Sequence, residues 1–169
     1  MDARDYVQRQ VAWVRRTSDA VTDDLTDAQL SWTPPGTANP IGATLLHTIL
    51  SEDSFLHRVI QGKPTVFESQ GWAEQLGVSA QPGRGPSWDD MKSKPLSLAK
   101  LLAYQQAVQA DTDAYLADLT PEELDRKVTT FRGESPVGDV LALFVGHAAH
   151  HVGEIAAIKG AQGAKGTPF

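Results

Sequence analysis

The sequence predicts an all-α protein, a four-helix bundle with a long loop between its second and third helices. Three observations carry this prediction. Four segments of roughly twenty residues repeat apolar side chains every three or four positions; Gly, Pro and capping residues punctuate their ends; and no heptad run or internal repeat competes with a bundle. The 169 residues are expected to form one domain, 1–169, since a chain of this length buries roughly 70% of the surface it exposes when unfolded.

The first helix is read from Asp5 to Leu25, a stretch without Gly or Pro that spaces Tyr6, Val7, Val11, Val14 and Val21 mostly by threes and fours. Thr26 followed by Gln29 spells a capping box, in which the hydroxyl takes an early backbone N–H and the amide reaches back, so a short helical turn follows. Trp32-Thr33-Pro34-Pro35-Gly36 breaks the chain, and Asn39-Pro40 restarts it as an N-cap with Pro at the first helical position. The second helix then runs from Pro40 to Ile60 and stops at Gly62 and Pro64. Ser69 to Pro95, with Gln81-Pro82-Gly83-Arg84-Gly85-Pro86 between Trp72 and Trp88, reads as a long loop of the kind that serves function.

Ser97 caps the third helix, Leu98 to Leu119, which ends at Thr120-Pro121-Glu122-Glu123, another cap with Pro at the first position. Val128 to Phe131 alternates weakly, so a strand pair around Gly133 is optional. Ser135-Pro136 caps the fourth helix, Val137 to about Lys159, and a Gly-rich tail runs on to Thr167-Pro168-Phe169.

Composition narrows the chemistry. The absence of cysteine excludes a disulfide scaffold, zinc fingers, thiol nucleophiles and thiol redox motifs, leaving five histidines for soft-metal chemistry. A net charge of −6 with no Lys/Arg cluster speaks against a nucleic-acid partner. The amino-terminal residues are charged, and no run approaches the ~20 apolar residues of a span, so no membrane partner is expected and a cytoplasmic setting follows by elimination.

The strongest chemical signal is Gly146-His147-Ala148-Ala149-His150-His151-Val152-Gly153-Glu154 in the fourth helix. Residues four apart on a helix share a face and can grip one cation. His147 could pair with His151 or with His150, and the wheel decides between them. The apolar side of this helix is centred roughly 60–70° from His147, His151 lies at about 40° and His150 at about −60°. His147 and His151 therefore look inward and His150 toward the margin. Glu154, within about 20° of His147, could serve as a fourth ligand, a proton acceptor, or the partner that fixes a ring tautomer. The motif differs from that of the zincins, which place Glu directly after the first His where this chain has Ala148.

An open metal site generally takes three protein ligands, and His47 and His57 on the second helix are the candidates for the third. Periodicity sets Ile41, Leu45, Ile49, Leu56, Val59 and Ile60 nearly opposite His47, so His47 is either exposed or turned into a polar cavity. His57 is no better placed. A pair of partly buried histidines bonded only to each other or to backbone remains the alternative to a metal site.

Four stretches in this order resemble the DinB-like superfamily of four-helix-bundle metalloenzymes: Leu25-Thr26-Asp27-Ala28-Gln29-Leu30-Ser31-Trp32, Ile41-Gly42-Ala43-Thr44-Leu45-Leu46-His47, Ser51-Glu52-Asp53, and His147 to Glu154. The resemblance implies a divalent metal held by His47, His147 and His151, and a polar pocket beside the second helix that accounts for the neighbours of His47. In relatives the last His is commonly followed by Arg-Gly-Gln; here Val152-Gly153-Glu154 stands instead, so no substrate contact is carried over to Val152 or Glu154.

The better-understood relatives are thiol-dependent S-transferases, or isomerases, in which the metal activates the thiolate of a small cofactor such as mycothiol or bacillithiol. On that resemblance the expectation is a metal-dependent enzyme that activates a low-molecular-weight thiol or water at the three histidines. Zn²⁺ is the first choice, and Ni²⁺, Mn²⁺ and Fe²⁺ are acceptable to imidazole. Glu154 would act as catalytic base, the Ser69–Pro95 loop would cover a small electrophilic substrate, and the chain would pair as a homodimer. The alternatives are a metal-dependent hydrolase and a non-catalytic stress or ligand-binding bundle.

Overall fold

Asp2 opens the first helix, α1 (Ala3–Thr22), by accepting the N–H of Asp5 on its side chain, and the observed elements follow the expected order from there. The structure is a computed structural model and describes residues 2–80 and 83–167. Gln81 and Pro82 of the anticipated loop, and Pro168 and Phe169 of the tail, lie outside the described residues. The capping box forms as read: Thr26 accepts from Gln29 N–H and the Gln29 side chain accepts from Thr26 N–H, starting α2 (Asp27–Ser31).

The second long helix, α3 (Ile41–Asp53), starts one residue later than expected. Pro40 is extended at ψ 149° and supplies the carbonyl for the first helical bond, from Thr44, so it takes the N-cap role that the Asn-Pro spelling gave to Asn39. Gly42 lets α3 close on α2, since a Cβ there would meet the Leu30 carbonyl oxygen at 3.2 Å. Beyond Asp53 the helix does not continue as α. Ser54–Ile60 is a π-helix, whose wider turn rotates every later side chain relative to a 100° wheel. This overturns the placing of His57 on an outward face: it is buried.

The segment expected as a long loop carries two short helices, α5 (Trp72–Leu76) and α6 (Trp88–Ser93), and α4 (Val66–Ser69) ends at its first residue. Helices of five and six residues give too few turns for a periodic signal, which is why composition read them as loop. Trp72 enters the main core and its ring lies 5.2 Å from that of Tyr104. It is therefore a packing residue rather than part of a cover over the histidines.

The third long helix, α7 (Leu98–Ala117), is capped by Asp27 of α2, whose carboxylate takes the Leu98 N–H at 2.7 Å; the Ser97 side chain makes no such bond. Thr120 caps α8 (Pro121–Asp125) with Pro at its first position, as read. The optional strands exist: β1 (Lys127–Thr130) pairs antiparallel with β2 (Gly133–Pro136), Val128 opposite Ser135, and Gly133 turns between them at φ 100°.

The fourth long helix, α9 (Val137–Ala161), packs against α3 and α1 along the bundle axis. The apolar side expected to face inward does so: Val137, Val140, Leu141, Phe144, Val152, Ile155 and Ile158 are all buried. By length and composition α9 is apolar enough to cross a membrane, which a search for an unbroken apolar run misses because Gly and His interrupt it. Within the fold it is the core helix. Lys159, buried near its end, donates to the Val21 carbonyl at 2.8 Å and to Asp24, tying α9 to the last turn of α1.

Polar groups also cross the bundle. Arg15 of α1 bonds Glu52 of α3 at 2.7 Å and also Asp113 of α7, while Thr112 donates to Glu52 at 3.0 Å. Asp53, fully buried, accepts the N–H groups of Val66 and Phe67 at 2.8 Å each and the Tyr104 hydroxyl at 2.6 Å. That carboxylate pins the α4 segment to α3 and α7, and so fixes the chain that leads on to α6.

Candidate metal centre

His147 and His151 sit one turn apart on α9, and their Nε2 atoms are 3.2 Å apart. The Nε2 of His47, reaching across from α3, stands 3.2 Å from the same His147 Nε2. All three rings are half-buried, and their ligand atoms lie within 4.8 Å of one another. His150 is exposed, on the margin as expected. Among the described residues this is the one group of three His, Cys, Asp or Glu side chains able to hold a metal ion.

The surroundings fix the rings. The Trp88 indole, on α6, lies against His47 with centroids 4.6 Å apart, and Phe55 meets His147 edge-on at 5.9 Å. His47 points away from the apolar stripe of α3, as its periodicity required. That face is covered all the same, by α6 on one side and by α9 on the other. His47 is thus half-buried rather than open to solvent.

Glu154 approaches from one turn further along α9. Its Oε2 is 2.5 Å from His151 Nδ1, so the ring donates Nδ1–H to the carboxylate and turns an Nε2 lone pair toward His147 and His47. This is the arrangement by which a carboxylate selects a histidine tautomer for metal binding. The side chain of Glu154 is otherwise half-exposed.

Electrostatics favour the uncharged form of His47 and His147. Burial, then the charges of His151, His47 and His150, push His147 down to about 4. Burial and His151 lower His47 as well, with Glu154 opposing. Uncharged imidazoles with convergent lone pairs are what a cation needs, because a protonated ring cannot be a ligand. Two nitrogens 3.2 Å apart, each about 2.0–2.1 Å from a shared ion, subtend about 100–105° at it, close to the tetrahedral value that zinc adopts. The donor set fits a divalent ion of imidazole preference.

The sequence matches the DinB superfamily over residues 10–155. The chain belongs to the DinB superfamily. Solved structures agree on the DinB fold at low sequence identity. A conserved protein from Enterococcus faecalis superposes with a TM-score of 0.78 at 15% identity, covering 94% of this chain and 96% of that one. A DinB-like protein from Bacillus cereus gives 0.65 at 14%, with 96% and 95% covered. A DinB-like protein from Bacillus subtilis gives 0.62 at 18%, with 97% and 96% covered. No curated protein sequence matches this DinB chain.

The cluster of Asp53, His57 and Tyr104 next to α4 was not legible from sequence. His57 was weighed only as a third ligand, and its ring bonds Asp53 instead, at 2.8 Å through Nδ1. The signal that could have found it is the spacing of Asp53 and His57, four apart, but the π-turn between them hides which way the pair points.

Proposed function

We propose that this protein is a divalent-metal-dependent enzyme in which His47, His147 and His151 hold the ion, Zn²⁺ first, and that its reaction is the transfer of a small thiol to an electrophile. The single observation that supports the reading is the convergence of three Nε2 atoms from α3 and α9, helices far apart in the sequence. An ion there lowers the pKa of a thiol or water that reaches it, and so supplies a nucleophile at neutral pH.

The residues of the chain do the rest. Glu154 holds the His151 tautomer, and its exposed carboxylate is the group we assign to receive the proton that an incoming thiol releases. Trp88, against His47, forms an apolar wall that shields the nucleophile from water and gives an electrophile a flat surface to lie on. With no cysteine in the chain, the thiol must come from a small cofactor.

The reading is tested by loading the protein with Zn²⁺ and following conjugation of chlorodinitrobenzene to a panel of small thiols, beside a panel of esters and amides. Thiol-dependent conjugation that H147A loses is the expected result. Ester or amide cleavage that needs no thiol would replace the transferase by a hydrolase, and ligand binding without turnover on either panel would overturn an enzymatic role.

A further inference from the structure

Tyr6 and Trp13 leave about half of their surface in solvent, 53% and 48%. Both stand on the outer side of α1, about two turns apart. Aromatic rings exposed together on one stripe are the usual anchors of a protein contact. Beside them a groove of about 490 Å³ runs between α1 and α9. Its walls include Tyr6, Val7 and Gln10 of α1 and Ala142, Val145 and Gly146 of α9, and no charged residue lines it. α9 carries no Asp, Glu, Lys or Arg from Val140 to Gly153, so its outer side is as free of those charges as its core side.

Charge returns at the two edges of this face. On α1, Arg9 and Arg16 lie about 60–80° from Tyr6, on the side away from the core. On α9, Asp139 lies about 60° beyond Ala142, on the side away from α1. All three are exposed, and none forms an ion pair among the described residues. The face therefore runs from a basic edge, over an aromatic ridge and an apolar groove, to an acidic edge. A twofold rotation reverses that order, so each band meets its complement on an identical face.

The lie of the two helices sets the register. α1 and α9 run parallel, with Tyr6 beside Ala142 in the groove and Lys159 at the Val21 carbonyl. Trp13 is thus level with Ala149, and Arg16 with Gly153. We infer that this face pairs with a second copy of the chain, about a twofold axis midway between Tyr6 and Trp13. That axis seats the Trp13 indole in the groove of the other copy, over the partner's Ala142, and brings Arg16 against the partner's Asp139. Each contact occurs twice, so the assembly closes as a dimer. Aromatic anchors fall inside the contact and ion pairs at its rim, the distribution of a specific interface. His147 and His151 look toward His47 on the α3 side of α9, so the pairing covers neither triad.

Sedimentation equilibrium on the purified full-length protein tests the pairing. At tens of micromolar the parent should sediment at twice the 18.2 kDa chain mass. A142R, which puts a charge into the groove, and W13E, which removes the anchor, should each raise the dissociation constant about a hundredfold or more. R16D and D139R, which set like charges face to face, should each raise it about tenfold. The double variant R16D/D139R should pair nearly as tightly as the parent. Circular dichroism should be unchanged throughout, because all four side chains are exposed. A monomeric parent, a dimer that A142R and W13E leave intact, or a charge exchange that fails to restore pairing would overturn the inference.

Discussion

Glu154 Oε2 meets His151 Nδ1 at 2.5 Å, on the ring nitrogen opposite the one that faces His147. The carboxylate therefore acts on the candidate metal centre through the ring, by choosing which nitrogen keeps its lone pair. Replacing it with Ala leaves the tautomer unselected and the ring free to turn. E154A should weaken Zn²⁺ binding by about 10–100-fold, the usual cost of losing such a partner, while E154Q, which keeps an acceptor, should lose less. Competition titration against a chromophoric chelator measures both.

Trp88 offers an optical report on the same site. Its ring is 4.6 Å from that of His47, close enough for a paramagnetic ion on the imidazoles to quench its emission through short-range electron and energy transfer. Ni²⁺ or Co²⁺ should quench part of the tryptophan fluorescence in the parent. W88F should remove most of that quenching, although Trp13, Trp32 and Trp72 remain. Equal fractional quenching in W88F would place the ion elsewhere.

The ionic crossing of the bundle should matter to stability more than to chemistry. Glu52 is buried and holds Arg15 and Thr112. E52A strands a largely buried guanidinium with only Asp113 to face, and should cost about 3 kcal/mol in urea unfolding. R15M combined with E52L should cost less than the two single changes added together, because neither charge is then left alone.

His57 sets a pH dependence whose sign follows from its partners. Its bond to Asp53 raises its pKa above the ordinary value of about 6.5, against the opposing effect of burial. A group with a raised folded pKa adds stability that is complete below its unfolded pKa and is lost as pH rises through the folded value. The parent should lose more stability than H57Q on going from about pH 6 to about pH 8.5. His47 and His147, shifted downward, act at lower pH and are common to both proteins, so the difference in urea midpoints isolates His57.

How far the sequence could be read depended on whether a feature was local. α9 is a single regular helix, so one wheel ordered its buried side chains, brought His147 and His151 to one side and sent His150 outward. The capping box at Thr26 was equally local. His47 was a different matter, because its face is decided by what lies across from it, α6 and α9, which no periodicity of α3 encodes; only the family resemblance singled it out. His57 was misplaced because a π-turn between Asp53 and Ile60 changes the angular step, and nothing in Ser54-Phe55-Leu56-His57 spells that change. The segment of α5 and α6 was taken for loop because its helices are shorter than the window that detects them. Its anchor, Asp53, acts through backbone N–H groups of Val66 and Phe67, a contact independent of side-chain identity and so absent from the sequence.

The central claim is that imidazoles from α3 and α9 share one ion, and elemental analysis of the purified protein, handled without added metal, tests it most directly. The account predicts close to one equivalent of a divalent transition metal per chain, lost in H47A and in H151A while the helical circular-dichroism signal persists. Metal content unchanged in both variants would contradict it.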